Sequence, residues 1–567
     1  MKAILINIIY LSIISSCFAQ SPDWSSEATL SGGDEKMSPN HRANIFEYSQ
    51  DQLGEKIEAG KKHALFYPVT VSDLLIPYAP LKKFFESDPK DPVRKMIFDL
   101  TKMASPFKSM DEIYGWLGLH HYPQASQAEA PYPLPDLTEE QKALPMGATL
   151  METPDGMALT FGCAACHSSD LFGVKVLGLT NRFPRANEFF RYGKILSPYV
   201  NSFLFKDLLQ TTEGERQMLV RIKKTTKSVG VLAPQALGLD TSLSQVALSL
   251  ARREKDPYAT RTARAAHFPR SSWLDKHRAD SKPAVWWNVK YKTRWLSDGS
   301  IISGNPVHTN FLWNEIGRGT DLKKLETWLV ENKQTIDDLT AAVFGAKAPR
   351  YEAFFGDHSI DIEKAKRGQK HFIQSCQKCH GVYEKNWDQS NSEQIHPSQL
   401  VKNSKIWYHK KTPVKDVGTD PGRYLGMKAF ADDLNRLQIS KSMGTVVQAQ
   451  TGYVPPPLEG IWSRYPYFHN NSIPNLCALL TPAKLRPKKY WMGPAENKET
   501  DYDQECAGYP LAEKTPQHWK ENKNYLYDTS ADGLSNSGHD ERIFIKDGVE
   551  IYTQTERFEL IEFLKTL

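Results

Sequence analysis

The sequence predicts a mainly α-helical chain built as two domains with long loops, behind an N-terminal extension. Three observations predict it. The pentad Cys-x-x-Cys-His occurs twice, as Cys163-Ala164-Ala165-Cys166-His167 and as Cys376-Gln377-Lys378-Cys379-His380. A helical pattern with ordered charges leads into the second pentad, and a capped apolar stripe closes the chain. At 567 residues the chain is longer than one core usually serves. His380 follows His167 by 213 positions, so each pentad has room for a domain of its own.

The N-terminus comes first. Lys2 precedes an apolar run from Ala3 to Ile14 that ends in small residues, which reads as a signal peptide over 1–19 and is too short for a good membrane span. Cleavage after Ala19 releases a chain starting at Gln20. Ile14-Ser15-Ser16-Cys17 also resembles a lipobox, which would leave Cys17 lipidated; Ser before and Phe after the Cys make it an imperfect one, so the unanchored form is favoured. The expected location is periplasmic or secreted. No later apolar stretch has the length to cross a bilayer.

Residues 20–140 read as an N-terminal extension. It opens with a polar stretch from Ser21 to about Asn44, expected to be a flexible arm, and ends in Pro131-Tyr132-Pro133-Leu134-Pro135. Composition is that of a globular protein, with 40% hydrophobic and 24% charged residues and a net charge of +5. No Lys/Arg run is dense enough for a nucleic-acid groove, so the mild basic excess fits a solvated surface or the docking of an acidic redox partner.

The pentads carry the chemistry. Two thiols three positions apart can add to the two vinyl groups of one haem, and the next residue then lies under the iron as its proximal ligand. Cys163, Cys166, Cys376 and Cys379 are thus the expected covalent attachment points of two haem c groups, and His167 and His380 the iron ligands. The competing readings are weaker. A redox dithiol needs no His directly after it, and a zinc ribbon needs its two knuckles much closer together. The architecture expected is therefore mainly α, with two cytochrome c-like haem domains, the first over 141–350 and the second over 351–567. Export agrees, because c-type haems are attached outside the bacterial cytoplasmic membrane.

Ile360 to Phe372 puts Ile362, Ala365 and Phe372 near one helix face, with acidic residues early and basic ones late, as the helix dipole favours. A Gly (Gly368) and an aromatic on the helix leading into such a pentad are typical of class I cytochrome c domains, where the Gly lets a C-terminal helix approach. That helix is expected after the capping box Thr553-x-x-Glu556, with Leu560, Ile561, Leu564 and Leu567 as its apolar stripe. Of the seven cysteines, Cys477 and Cys506 remain once Cys17 and the pentads are set aside. In an oxidising compartment they read as a structural disulfide, the alternative being two free buried thiols.

Sixth ligands are harder to choose among the remaining histidines. His539, in Gly533-Leu534-Ser535-Asn536-Ser537-Gly538-His539 ahead of the terminal helix, and His469, in Pro466-Tyr467-Phe468-His469-Asn470, are the two candidates. Haem 1, on His167, has no obvious distal ligand nearby in sequence.

The stretch from Tyr453-Val454-Pro455-Pro456-Pro457-Leu458-Glu459-Gly460-Ile461-Trp462 to Tyr467-Phe468-His469-Asn470-Asn471-Ser472 resembles the haem-pocket signature of the bacterial di-haem cytochrome c peroxidase and MauG superfamily. Chain length and Lys282-Pro283-Ala284-Val285-Trp286-Trp287-Asn288-Val289-Lys290-Tyr291 are similar in particular to its large di-haem rubber oxygenase (RoxA) branch. The resemblance covers roughly residues 140–567. It implies that His539 is the distal ligand of haem 2 and His469 a residue behind it. Haem 2 would then be six-coordinate and relay electrons, while haem 1 binds O2 or H2O2. Trp287 is implied as an electron conduit between the haems, with core packing the equal alternative. Ile302, with Ile301, is implied in the distal pocket of haem 1. The rubber-cleaving enzymes prefer an aromatic there, so the substrate need not be polyisoprene. Gly304 to Leu312 reads as a structural turn whose polar groups could instead position O2.

The function this implies is an exported haem-dependent oxidoreductase that activates O2 and cleaves a hydrophobic, unsaturated small molecule or polymer. The alternatives are a peroxidase that reduces H2O2 with electrons from a small redox protein, and a non-enzymatic electron carrier.

Overall fold

The computed structural model describes residues 24, 29–30 and 42–567, apart from 70, 72, 126, 128–129 and 240–242. The expected signal peptide over 1–19, its cleavage point and Cys17 lie outside the described residues. The architecture is mixed rather than simply helical: many short helices are joined by long loops and by small antiparallel sheets of two or three strands.

Where the N-terminal arm is described, it is paired and not free. Thr29–Leu30 adds an antiparallel edge opposite Trp407 and Ile406, and the buried Arg42 donates to the carbonyls of Lys290 and Trp24 at 3.0 Å each. Helix α1 (Gln50–Leu65) starts at a capping box formed by Ser49 and Gln52. It lies against helix α3 (Lys333–Gly345), and Gly60 makes this possible, since a Cβ there would sit 1.9 Å from Asp338 O. Tyr132, at the end of the extension, donates to Ala342 O on the same helix at 2.7 Å. Between these elements in sequence is helix α2 (Pro306–Gly317), capped by Asn305, whose Oδ1 accepts Val307 N at 2.8 Å. One apolar core runs from Ala64 to Leu567, so residues around both pentads share packing.

The first pentad sits between two hairpins, β1 (Ala148–Thr153) with β2 (Gly156–Phe161) and β3 (Ser168–Leu171) with β4 (Val174–Leu177). The second follows helix α4 (Ile362–Ser375) and precedes strand β5 (Val382–Lys385), which pairs with β6 (Asn403–Trp407). Helix α4 packs on the terminal helix α5 (Gln554–Lys565). Thr553 caps α5 by accepting Glu556 N, and Leu560, Ile561, Leu564 and Leu567 are all buried. Full burial of each such side chain stabilises by about 1.5–3 kcal/mol. Phe372 meets Phe563 at 5.2 Å, and Glu559 accepts from both Arg367 and His371. The buried Lys385 ammonium ties the helix end to the sheet, donating to Thr566 O and Val401 O. The Cys477–Cys506 disulfide is formed, closing a loop of 29 positions. Such a loop contributes about 3–4 kcal/mol by restricting the unfolded chain.

Gly368 lets α4 and α5 touch. A Cβ at this position would lie 1.9 Å from Glu559 O. Gly368→Ala is expected to destabilise the protein by about 1–3 kcal/mol through overpacking, read by denaturant unfolding followed by circular dichroism; unchanged stability would mean the helices do not meet here.

Candidate cofactor site

The two pentads open into one cavity of about 920 Å³. Cys163, Cys166, His167, Cys376, Cys379 and His380 all line it. In the first pentad a single 3-10 turn brings Cys166 N and His167 N onto Cys163 O, at 3.2 and 3.0 Å. Hairpin β3–β4 then returns, so that Gly178 N reaches His167 O and Gly178 O accepts Trp286 N at 2.9 Å. Gly178 has a φ of +88°, and a Cβ there would press on Trp286 at 3.1 Å. In the second pentad the last turn of α4 runs directly into the loop. Cys379 N and His380 N meet Cys376 O at 3.1 and 3.0 Å.

The two histidines are held alike. His167 Nδ1 lies 3.0 Å from Ala284 O and His380 Nδ1 lies 2.8 Å from Pro456 O. A carbonyl only accepts, so each Nδ1 donates and each Nε2 is left as the basic nitrogen that a metal takes. Burial drives both imidazoles down to about 4, so they are neutral at ordinary pH. None of the four cysteines is in a disulfide. Burial pushes the Cys163 thiol up to about 11 and the Cys376 thiol to about 12. Among the described residues no three His, Cys, Asp or Glu side chains group to hold a metal ion.

His539 faces His380 with ring centres 6.2 Å apart. An imidazole nitrogen sits about 2.0 Å from a metal it binds, so two rings on opposite sides of one iron place their centres about 6 Å apart. The spacing therefore fits an iron between His380 and His539. His539 reaches this position through a left-handed backbone, φ +58°, next to Gly538, where a Cβ would lie 2.3 Å from Gly418 C. Its N–H donates to Val417 O at 2.8 Å, and Arg486 Nη1 braces the loop by donating to Asn536 O and Gly538 O at 2.6 and 2.7 Å. Burial, and after it the nearby His380, push the His539 imidazole down to about 3.

Four histidines line the cavity among the described residues: His167, His380, His469 and His539. His469 is stacked on Tyr453 at 4.0 Å, with its buried Nε2 unpartnered. Its neighbour Phe468 meets the His539 ring at 5.8 Å. One wall of the cavity is apolar and amide in character. Val307, Asn310, Trp313, Asn314 and Gly317 of α2 line the cavity at helical spacing, so the segment from Gly304 is cap, helix and wall at once.

Two expected pocket residues, Ile302 and Trp287, do not line the cavity, whereas Ile301, expected with Ile302, and Trp286 do. Ile301 rather than Ile302 lines the cavity, because successive side chains of the Ile301–Ser303 strand point to opposite faces. Trp286 rather than Trp287 lines it, with its ring 5.8 Å from the His167 ring. Trp287 is fully buried behind the wall, and its Nε1 donates to Glu459 O at 2.9 Å. The result is a short bonded path. It runs from His167 through Ala284 O and along the chain to Trp287, across to Glu459, and back along the chain to Pro456 O and His380.

Comparison with known proteins agrees with this chemistry. Residues 452–492 match the family model described as RoxA-like, cytochrome c-like. The matched stretch holds Pro456, Phe468, His469 and Arg486, and it points to a haem-related function with covalently bound haem c. The chain is also similar to two proteins of Sinorhizobium fredii (strain NBRC 101917 / NGR234). It is 28% identical to uncharacterized protein y4iJ over 73% of this chain and 70% of that one. It is 34% identical to uncharacterized protein y4iM over 21% of this chain and 28% of that one. Among the described residues no helix is long and apolar enough to cross a membrane.

The sequence missed Arg486 and the two carbonyls of Ala284 and Pro456. The one signal for the carbonyls was the proline beside each, which leaves a carbonyl in a segment that cannot enter a helix ladder.

His539→Ala is expected to convert a low-spin haem of the purified protein to high-spin in its absorption spectrum, while His469→Ala leaves the spectrum low-spin. The reverse pattern would transfer the ligand role to His469.

Proposed function

We propose that the chain is an exported di-haem c-type cytochrome that activates O2 at the iron on His167 and cleaves a hydrophobic, unsaturated substrate oxidatively. The observation that carries this reading is the asymmetry of the pentads. His380 has an imidazole at haem-spanning distance, whereas none of the other cavity histidines is paired with His167, whose ring neighbour is Trp286. A haem closed by two histidines holds its iron for electron transfer, and a haem with an open position supplies O2 or peroxide chemistry.

The chain's own residues have separate tasks in this scheme. His167 and His380 hold iron through Nε2, with Ala284 O and Pro456 O fixing their tautomers and raising their basicity. His539 closes the second iron, and Arg486 keeps it in place. Ile301, Val307 and Trp313 exclude water from the open side and favour an apolar substrate, while Trp286 packs beside His167. Trp287 and the bonded path through Glu459 carry electrons between the two centres. That path also favours the second reading, a peroxidase in which a small redox protein feeds electrons through the His380 centre to H2O2 at His167.

The purified, reduced protein is expected to bind CO at one of its two haems. Two haems that both refuse CO would leave only an electron carrier. A stable O2 complex with consumption of O2 in the presence of an unsaturated apolar substrate supports the oxygenase; rapid H2O2 turnover with reduced cytochrome c supports the peroxidase instead.

A further inference from the structure

Three basic side chains converge on the cavity where the two pentad regions meet. Lys282, two positions before Ala284, donates through Nζ to Arg464 O at 3.0 Å and to Pro466 O. Arg464 donates through Nη1 to Pro457 O at 2.7 Å, one residue beyond the carbonyl that holds His380. Lys292 lines the cavity at 8% exposure, and among the described residues its ammonium has no hydrogen-bond partner. The rest of the Arg464 guanidinium likewise has none among the described residues.

The charges in this corner do not balance. Arg464 acts unfavourably on both lysines, and after burial it is the next cause that holds Lys292 down to about 8 and Lys282 well below the usual lysine range. The carboxylate that acts on Arg464 is that of Glu459, and its Oε2 already accepts the Tyr291 hydroxyl at 2.5 Å. Buried cations without a matching anion are costly, and a guanidinium beside an ammonium is the arrangement that carboxylates bind. Haem c brings two carboxylate arms on the part of its ring away from the vinyl-derived thioethers. The bond from Arg464 Nη1 to Pro457 O, next to the Pro456 carbonyl that holds His380, ties this corner to the second pentad.

We propose that Lys292 and Arg464 form a carboxylate site for the propionate arms of the haem attached at Cys376 and Cys379. The assignment rests on the reading that the second pentad carries haem. Lys282, whose Nζ donates to Arg464 O and Pro466 O, fixes the Arg464 segment behind the pair.

The test uses the full-length protein with its haems attached. Redox titration followed by absorption reads the midpoint potential of the low-spin haem, and intact mass counts the attached haems. Lys292→Met is expected to keep the haem count and lower that potential, because an uncompensated propionate favours ferric iron. Lys292→Arg restores it, which a purely structural role for the lysine stem does not explain. Should Lys292→Met fold poorly, Arg464→Lys, which keeps the charge and loses the fork, is expected to give a smaller fall. Haem present with an unchanged potential in both variants overturns the carboxylate site alone. A chain whose mass carries no haem overturns the site and the functional reading together.

Discussion

The structure is organised around a space that its own side chains do not fill. Protein interiors pack to crystal-like density, so a cavity of about 920 Å³, within the roughly 300–1,000 Å³ of ligand and cofactor sites, marks a binding site. Its walls carry two thiol pairs, two neutral imidazoles with the same nitrogen tied back, a third imidazole whose ring lies 6.2 Å from that of His380, and basic groups at one corner. A covalently attached porphyrin answers all four features at once, and none of the separate readings of the cysteines does.

From this constraint the arrangement of the elements makes sense. Each proximal histidine is oriented by a backbone carbonyl beside a proline, and the two carbonyls belong to segments linked by the Trp287–Glu459 hydrogen bond. The two pentad histidines are thus coupled through backbone segments joined by the buried Trp287 indole. His539 is brought opposite His380 by a loop in which it adopts a left-handed φ and Arg486 spans two carbonyls. Strained backbone of this kind persists where surrounding contacts over-determine it. Around the first pentad the cavity wall comes from the regular helix α2 and the aromatic Trp286.

Much of this was legible in the sequence wherever the determinants were local. The pentads, the Thr553–Glu556 capping box, the charge order of α4, Gly368 and the Cys477–Cys506 pair are short-range patterns with one physical meaning each, and all appear in place. His539 is singled out in the sequence by its loop just ahead of the terminal helix, and the resemblance then ranks it over His469. What stayed illegible depends on contacts between distant residues or on strand phase. Ile301 and Ile302 are chemically identical, and only the facing of their strand puts the first on the wall. Trp286 and Trp287 differ in the same way. Arg486 and Lys292 are ordinary cations in sequence, and burial next to carbonyls or next to another cation gives them their roles. The polar N-terminal arm reads as flexible because its composition is polar, yet where described it pairs with β6 and anchors through Arg42.

The central claim is that one centre is closed by two histidines and the other is open. Electron paramagnetic resonance of the ferric protein as purified tests it most directly. The account predicts one low-spin signal from the centre between His380 and His539 and one high-spin signal from the centre on His167, in equal amounts. Two low-spin signals, with no high-spin component, would contradict it.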